Sequence, residues 1–317
     1  MNLRDKIIYK LEKERGNFIS GQDLAVEFGV SRNAISKCIN ALREDGFLIE
    51  SINNAGHRLS KDSDVLSEFG IRAHFDESDD VFIKVFKTID STNNEAKRAV
   101  ANGLTQDGIF VAEQQTAGRG RRGRDFYSPE KSGLYFTAVL HPDVTLADSV
   151  GITAATAVEV VNIISEATKK HPLIKWVNDV YIDNRKVCGI LTEAISDFET
   201  NRIQAVIIGI GINLTTTLFP EELTDIAASV GEINRCYLAA EIFKRLKKRC
   251  ADLESKDYMD DYRKYSLVLG KKVSFLRNGT QYTATAKSIS DDGSLLVTTD
   301  DGEEMLLNSG EISVRLD

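Results

Sequence analysis

Four arginines and three glycines fall within the nine residues Thr116 to Arg124, in the run Gly118-Arg119-Gly120-Arg121-Arg122-Gly123-Arg124. Arginine offers a planar, permanently charged fork that matches carboxylate and phosphate oxygens. Glycine lets the backbone approach a ligand closely and reach positive φ. Together they predict a loop that closes over an anionic substrate, with few apolar anchors of its own and therefore mobile when empty. No Gly-Lys-Ser/Thr follows, which excludes the G-x-x-x-x-G-K-[ST] phosphate loop. Gly118-x-Gly120-x-x-Gly123 spells a dinucleotide turn, but Phe126-Tyr127-Ser128-Pro129 opens no helix after it. A solvated basic loop or a nucleic-acid patch has the same composition, and spacing leaves those readings open.

Other stretches carry groups suited to the same kind of site. In Ile174-Lys175-Trp176-Val177-Asn178-Asp179-Val180 and in Arg185-Lys186-Val187-Cys188-Gly189, charges sit inside strand-like apolar runs. A buried lysine without a partner is costly, so Lys175, Asp179 and Lys186 point to a polar site. Asp90-Ser91-Thr92-Asn93 precedes a helical pattern. Free N–H groups beside hydroxyls and an amide can bind a carbonyl or ureido oxygen, or an anion, although plain capping by Ser91 explains the same residues. Gly209-Ile210-Gly211-Ile212-Asn213 clears one face of a strand, for a ligand or for a tight backbone crossing. The apolar loop from Leu218 to Val230, with Ala228 in it, is suited to covering an adenine.

These residues need a scaffold, and the pattern supplies one. The arginine loop lies between two apolar runs, Gly108 to Gln114 with Gln115 at its end, and Leu134 to Leu140. An Ala/Val/Ile-rich helix is expected from about Ala147 to Ala167, across a sheet. Upstream, Leu3, Ile7, Ile8 and Leu11 recur at helical spacing. A short helix then runs from Gln22 to Phe28, Gly29 breaks it, and Ser31 caps a second helix reaching about Glu44. This is a helix-turn-helix. Arg32, Asn33, Ser36 and Lys37 fall on the outer face of the second helix, with no acidic residue between Ser31 and Arg43. Strands Phe47–Ser51 and His57–Ser60 form a wing with Arg58 toward a DNA backbone. Residues 63–80 read as a polar hinge, and short alternating segments after Gly270, joined by turns at Asn278-Gly279, Asp292-Gly293 and Asp301-Gly302, read as a small β-barrel. The expected fold is a multidomain α/β chain: a winged helix-turn-helix at 1–62, a linker at 63–80, a central α+β domain on a mixed sheet at 81–268, and an SH3-like β-barrel at 269–317.

A formal net charge of -8 argues against general nucleic-acid coating, whereas residues 1–61 hold ten lysines and arginines against eight acidic residues. DNA contact is therefore expected locally. No run approaches a membrane span, and the start of the chain reads as a charged amphipathic helix rather than a signal peptide. Cys38, Cys188, Cys236 and Cys250 lack metal-ligand spacing and suit reduced thiols of a cytoplasmic protein.

The order of these parts resembles the bifunctional biotin protein ligase and biotin operon repressor family over essentially the full chain. The run from Gly118 to Arg124 is similar to the family's biotinyl-adenylate loop. Lys175-Trp176-Val177-Asn178-Asp179 is similar to its K-W-P-N-D motif, with valine at the proline. Arg185-Lys186 through Gly189-Ile190-Leu191-Thr192-Glu193 is similar to R-K-x-x-G-I-L-x-E, and Gly209 to Asn213 to G-x-G-I-N. Phe126 stands where the family often has tryptophan.

The resemblance implies ATP and biotin as substrates with Mg2+, and transfer of biotin to a lysine of a biotin carboxyl carrier protein. It also implies repression of biotin genes at operator DNA by a homodimer holding biotinyl-AMP. Ser91, Thr92, Asn93, Gln115, Gly118, Arg119, Gly120, Arg121, Lys186 and Gly189 would bind biotin. Arg121, Phe126, Lys175, Asn178, Asp179, Asn213 and Ala228 would face the nucleotide, and Arg121 and Lys186 would carry the chemistry. Ser31, Arg32, Asn33, Ser36, Lys37 and Arg58 would meet DNA. A ligase whose amino-terminal domain no longer regulates, a non-catalytic biotin-sensing repressor and a lipoate or octanoyl ligase relative are the competing readings.

Overall fold

A computed structural model describes residues 1–142, 150–197, 202–277, 279–308 and 312–314. The chain divides into two compact units, one of Met1–Val85 with Ile233–Glu241, the other of Phe86–Glu232 with Ile242–Asp317.

The first unit begins with α1 (Leu3–Lys13), opened by a capping box between Asn2 and Asp5. Next come α2 (Gly21–Phe28), capped by Ser20 and ended by Gly29 at φ 65°, and α3 (Arg32–Glu44), where Ser31 Oγ accepts from Ala34 N at 3.2 Å. The hairpin β1 (Ile49–Ile52) and β2 (Gly56–Leu59) follows. Ile7, Leu11, Leu24, Ile35, Ile39, Leu42 and Leu59 form one buried cluster, so the helical spacing of these residues reports the core face.

Residues 63–80, expected to be a polar hinge, contain α4 (Glu68–Arg72) and bury Leu66, Ile71 and Phe75. Asp64 accepts from the backbone N of Arg235 at 2.8 Å and from its Nε at 2.6 Å. A distant partner thus holds a segment that its own composition marks as loose. Glu12, buried on α1, accepts from Arg15 Nε and Nη2 at 2.8 and 2.6 Å and lies 3.1 Å from His74 Nε2.

The second unit is built on a mixed seven-stranded sheet. The elements from this sheet's first strand onward, in chain order, are β3 (Phe82–Ile89), whose first four residues are counted with the first unit, α5 (Thr92–Ala101), β4 (Gly108–Gln115), β5 (Gly133–Leu140), α6 (Val150–Thr168), β6 (Leu173–Lys175), β7 (Asp179–Ile182), β8 (Arg185–Asp197) and β9 (Arg202–Asn213). The strand order is β3-β4-β5-β9-β8-β7-β6. β4, β5, β9, β8, β7 and β6 pair antiparallel in succession. β5 is buried along its whole length, as a central strand covered on both faces must be. α6 lies over β6, β7 and β8; the start proposed for it near Ala147 lies outside the described residues.

α7 (Arg235–Cys250) and α8 (Tyr258–Lys264) precede five strands: β10 (Lys272–Arg277), β11 (Thr280–Ile289), β12 (Leu295–Thr299), β13 (Glu304–Leu307) and β14 (Ile312–Val314). Their order, β13-β12-β11-β10-β14, describes a small antiparallel sheet, and among the described residues no pairing closes it into a barrel. The Asn278 half of one proposed turn lies outside the described residues. No cysteine is bridged, and no described helix is long and apolar enough to cross a membrane.

Burial pushes the Glu12 carboxyl toward neutrality, but hydrogen bonds from His74 and Arg15 outweigh it and hold its pKa below the ordinary value. A depressed folded-state pKa gives stability that is present above the usual carboxylate range and lost as pH falls through the folded value. Glu12→Gln is therefore expected to destabilise the protein at pH 7 by about 3 kcal/mol, because the Arg15 charge, still hydrogen-bonded to Ser60 O and Ser63 O, loses its buried counter-charge. It should also flatten the loss of stability below about pH 4.5. Urea denaturation between pH 3 and 7 checks both; identical wild-type and variant curves would reject the role of this carboxylate.

Candidate functional site

The arginine loop is pinned at both ends. Thr116 N and Ala117 N donate to Ile89 O and Asp90 O, each at 2.9 Å. Phe126 N donates to Gly118 O at 2.9 Å and Gly120 N to Arg124 O at 2.7 Å, folding the loop into a narrow ribbon. The ribbon turns through a single 3-10 turn at Arg121–Gly123, where Arg122 takes φ 57°. Phe126 supplies the apolar anchor that the loop's composition hides. Its ring packs over Gly189 and Gly211, adjacent in register on β8 and β9, and meets Tyr135 edge-on with centroids 6.5 Å apart. A Cβ at Gly211 would stand 2.4 Å from the ring, and one at Gly209 would stand 2.1 Å from Asn93 Oδ1. The cleared face of β9 is thus filled by two of the protein's own side chains, which then line the cavity above it.

Asn93 comes from the start of α5, where Ser91, Thr92 and Asn93 are all buried. Ser91 occupies the cap position, but its side chain makes no capping hydrogen bond, contrary to the plain capping expectation. Gln115 Oε1 accepts from Thr92 N at 2.8 Å and from Thr92 Oγ1 at 3.1 Å. Its Nε2 donates to Ser128 Oγ at 3.0 Å, and Ser128 donates to Phe126 O at 2.9 Å. Gln115 thereby ties the start of α5 to the far end of the arginine loop.

The charged groups gather beyond Phe126. Arg119 Nη1 donates to Asn94 Oδ1 at 3.0 Å, and Arg121 Nη1 to Asn178 Oδ1 at 2.9 Å. Asn178 in turn donates to Asp179 Oδ1 at 3.1 Å and to Ile190 O at 2.8 Å. Lys186 Nζ lies 2.8 Å from Asp179 Oδ1, and Lys175 Nζ lies over the Tyr181 ring at 5.2 Å. The loop carrying Asn178 is held from below, since Trp176 Nε1 donates to Gly293 O and Tyr262 OH to Val177 O, each at 2.9 Å.

Residues from all these segments border one cavity of about 400 Å³, within the usual range for small-molecule sites. It brings together Ser91, Thr92, Asn93 and Gln115 with Arg119, Gly120, Arg121 and Phe126, and with Lys175, Asn178, Asp179, Lys186 and Gly189. Five cationic side chains line it, Arg124 among them, against the carboxylates of Asp125 and Asp179, an excess that suits anions in a chain of net negative charge.

Three expected residues do not line the cavity. Gly118 lies inside the ribbon, where a Cβ would meet Phe126 O at 2.4 Å. Asn213 is buried and donates to Ala228 O at 3.3 Å. The 218–230 loop is stitched to β8, with Lys186 N donating to Ile226 O and Ala228 N to Lys186 O, so Leu223 and Ile226 face the cavity instead of Ala228. Sequence spacing also passed over Tyr135, Tyr181 and Ile312, which border the cavity, because nothing in a strand's alternation says which face holds a ligand.

In the amino-terminal unit Arg32, Asn33, Ser36 and Lys37 are exposed on α3, as the helical spacing requires. The Ser31 hydroxyl is engaged as the cap. Arg58 is half-buried; its guanidinium pairs with Glu50 at 2.8 Å and stacks on the Phe18 ring at 4.5 Å. In the wing, Ser51 Oγ accepts from Arg43 Nη2 at 2.5 Å and lies 2.6 Å from His57 Nδ1, joining α3 to both strands of the hairpin.

Three family descriptions match this chain: the biotin/lipoate A/B protein ligase family over residues 85–213, a helix-turn-helix domain over 4–58, and the biotin protein ligase C-terminal domain over 268–315. The chain is 34% identical to the bifunctional ligase/repressor BirA of Bacillus subtilis over 315 residues, 95% of each chain. It is 28% identical to BirA of Escherichia coli over 308 residues, 95% of this chain and 94% of that one. Among solved structures, the biotin protein ligase of Aquifex aeolicus in complex with biotin and ATP matches at a TM-score of 0.62 and 28% identity, covering 74% of this chain and 99% of that one.

The close approach at Gly209 is open to test. Gly209→Ala should lower stability by about 2 kcal/mol, as overpacking does. Asn93→Ala in the same chain should recover part of that loss, because the clashing amide is gone. Calorimetric melting of the two single variants and the double variant measures the coupling; strict additivity would show that the two residues do not compete for space.

Proposed function

The chain belongs to the bifunctional biotin protein ligase/repressor family, and we propose that its cavity forms biotinyl-5′-AMP from biotin and ATP and passes the biotinyl group to a carrier-protein lysine. One observation carries this reading: Arg121 and Lys186 meet the Asn178–Asp179 pair in the same cavity that the α5 start and Phe126 border.

In this reading the biotin head group lies against the start of α5, with Ser91 and Thr92 nearest its ureido group. Its carboxylate points toward Arg119, Arg121 and Lys186. A carboxylate oxygen attacks the α-phosphorus of ATP; the new P–O bond forms as the bond to pyrophosphate breaks. Two anions must meet for this to happen, so fixed cations both offset the ground-state repulsion and stabilise the charge that builds on the phosphorus oxygens. The uncharged amine of the acceptor lysine then attacks the biotinyl carbonyl, and AMP leaves. Lys175, Asn178, Asp179 and Phe126 sit on the nucleotide side, with Leu223 and Ile226 offering apolar cover. Asn213 and Ala228 support that side from behind. Gly118 and Gly120 shape the ribbon.

Among the described residues no three acidic, imidazole or thiol groups converge on a metal position. Mg2+ would therefore be held chiefly by the nucleotide's phosphates, with Asp179 or Asp125 beside them, and would neutralise phosphate charge there. The carboxyl-terminal sheet is taken as an SH3-like module, and the domain limits 1–62, 63–80, 81–268 and 269–317 belong to the same proposal.

The helix-turn-helix adds repression of biotin genes. Ser31, Arg32, Asn33, Ser36 and Lys37 present the α3 start to the major groove, while Arg58 braces the wing. A homodimer that forms when biotinyl-AMP is bound would match a two-fold operator. Scarce acceptor lets the adenylate persist and favours repression; abundant acceptor consumes it. The acceptor would be a biotin carboxyl carrier protein, and the setting cytoplasmic.

Biotin-dependent exchange of labelled pyrophosphate into ATP tests the first step directly. Lys186→Ala and Arg121→Gly should each lower exchange by about 100-fold or more, as loss of a charge-stabilising group does, with melting temperatures near that of the parent. Full exchange in both variants would remove these residues from the chemistry. For DNA, Arg32→Ala with Lys37→Ala should weaken binding to biotin-gene promoter duplex. It should also reduce the slope of log K against log salt by about 2, one per lost phosphate contact. An unaltered electrophoretic shift, with and without biotinyl-AMP, would place the DNA surface elsewhere.

A further inference from the structure

Thr137 lies on β5 beneath the cavity, fully buried and not in its lining. Its hydroxyl donates to Asn93 Oδ1 at 2.7 Å and stands 2.8 Å from Thr92 Oγ1. It sits opposite Gly209 in the β5–β9 register, so the space above Gly209 receives the Asn93 amide at the point where Thr137 can reach it. The other end of that amide donates to Glu193 Oε2 at 3.1 Å. Glu193 Oε1 accepts from Lys97 Nζ at 2.7 Å and lies 3.8 Å from Arg119 Nη1. Asn93 is therefore held on both sides: its oxygen by a hydroxyl, its nitrogen by a carboxylate. Neither group can be exchanged for the other without leaving a buried polar atom unmatched. Burial opposes the Glu193 charge, but Lys97 and Asn93 hold its carboxyl below the ordinary range, so it stays an acceptor at neutral pH.

We propose that Thr137 and Glu193 are positioning residues for the acid substrate: they lock the Asn93 amide, and Thr137 also steadies the Thr92 hydroxyl, so that the start of α5 is preorganised for the head group. The inference rests on the reading of the cavity as a biotin site. Asn93 becomes a post of the site, spent on protein partners, and Ser91, whose hydroxyl makes no capping hydrogen bond, is left as the polar group of this turn that meets the ligand. Because Glu193 also lies near Arg119, the lock joins the head-group end of the cavity to the arginine loop.

The test is biotin titration calorimetry on the full chain, with exchange kinetics alongside. Thr137→Val keeps the shape and removes the hydroxyl. It should weaken biotin binding about tenfold, the effect of one buried acceptor left without a donor, while KM for ATP stays within about twofold of the parent. Thr137→Ser restores the hydroxyl and should restore affinity. Unchanged biotin affinity in Thr137→Val, or a serine variant as weak as the valine one, overturns the inference and leaves the biotin reading intact. No biotin binding by the parent chain overturns both. If Thr137→Val does not fold, Glu193→Gln decides: it presents a donor where Lys97 and Asn93 need acceptors, and undiminished biotin affinity in that variant defeats the proposal.

Discussion

Gly209 and Gly211 leave two vacant places on one face of β9, and the cavity of the second unit is assembled over those places. Asn93 descends from α5 into one and Phe126 from the arginine loop into the other. Each brings its own segment with it. Through Asn93 the buried start of α5 is seated on the sheet, and through Phe126 the far end of the loop is anchored over Gly189 as well. Two missing side chains thus set the positions of two elements from distant parts of the chain. Side chains larger than glycine would have to displace a well-packed ring or a buried amide, and dense interiors yield little.

On this floor the charged groups are arranged with their partners already in place. Arg119 leans on Asn94, Arg121 on Asn178, and Lys186 on Asp179. Neutral amides help to orient both arginines, and the Glu193 carboxylate stands 3.8 Å from Arg119. Asp179 offsets part of the charge of Lys186, and Asn178 touches both Asp179 and Arg121, so the three form one connected unit. Electrostatic stabilisation in an active site depends on such preorganisation, because dipoles and charges that must reorient during the reaction return less of their interaction energy. The Trp176 and Tyr262 hydrogen bonds carry the same logic outward, since they hold the short loop on which Asn178 stands.

The amino-terminal unit follows different physics. Its core is a small set of aliphatic side chains at helical spacing, and its outer α3 face is polar with no acidic residue. A face with positive charge and no acidic residue allows DNA contact in a chain that is acidic as a whole. The wing adds contacts that local charge does not show. Arg58 looks available in the sequence, yet Glu50 on the paired strand and Phe18 occupy its guanidinium.

How much the amino-acid sequence determined can be judged from particular residues. Periodicity and caps were enough for α1, α2 and α3, because Ser20, Gly29 and Ser31 act on their immediate neighbours. The arginine loop, the Lys175–Asp179 and Arg185–Glu193 runs and the Gly209–Asn213 strand end were visible as chemistry because their residue types are unusual in strands. What they face was not. Asn213 and Ala228 turned out to bond each other behind the cavity, Ser91 does not spend its hydroxyl on its helix, and residues 63–80 are held by Arg235, far along the chain. Thr137 carries no local signal at all: it is one more β-branched residue in a buried strand. Its role arises only when β5 and β9 come into register and α5 is laid across them. Caps and periodicity are decided within a few residues, so the sequence alone determines them. Facing, pairing and hydrogen-bond partnership across the sheet depend on segments that meet only in the folded chain, so tertiary structure decides them.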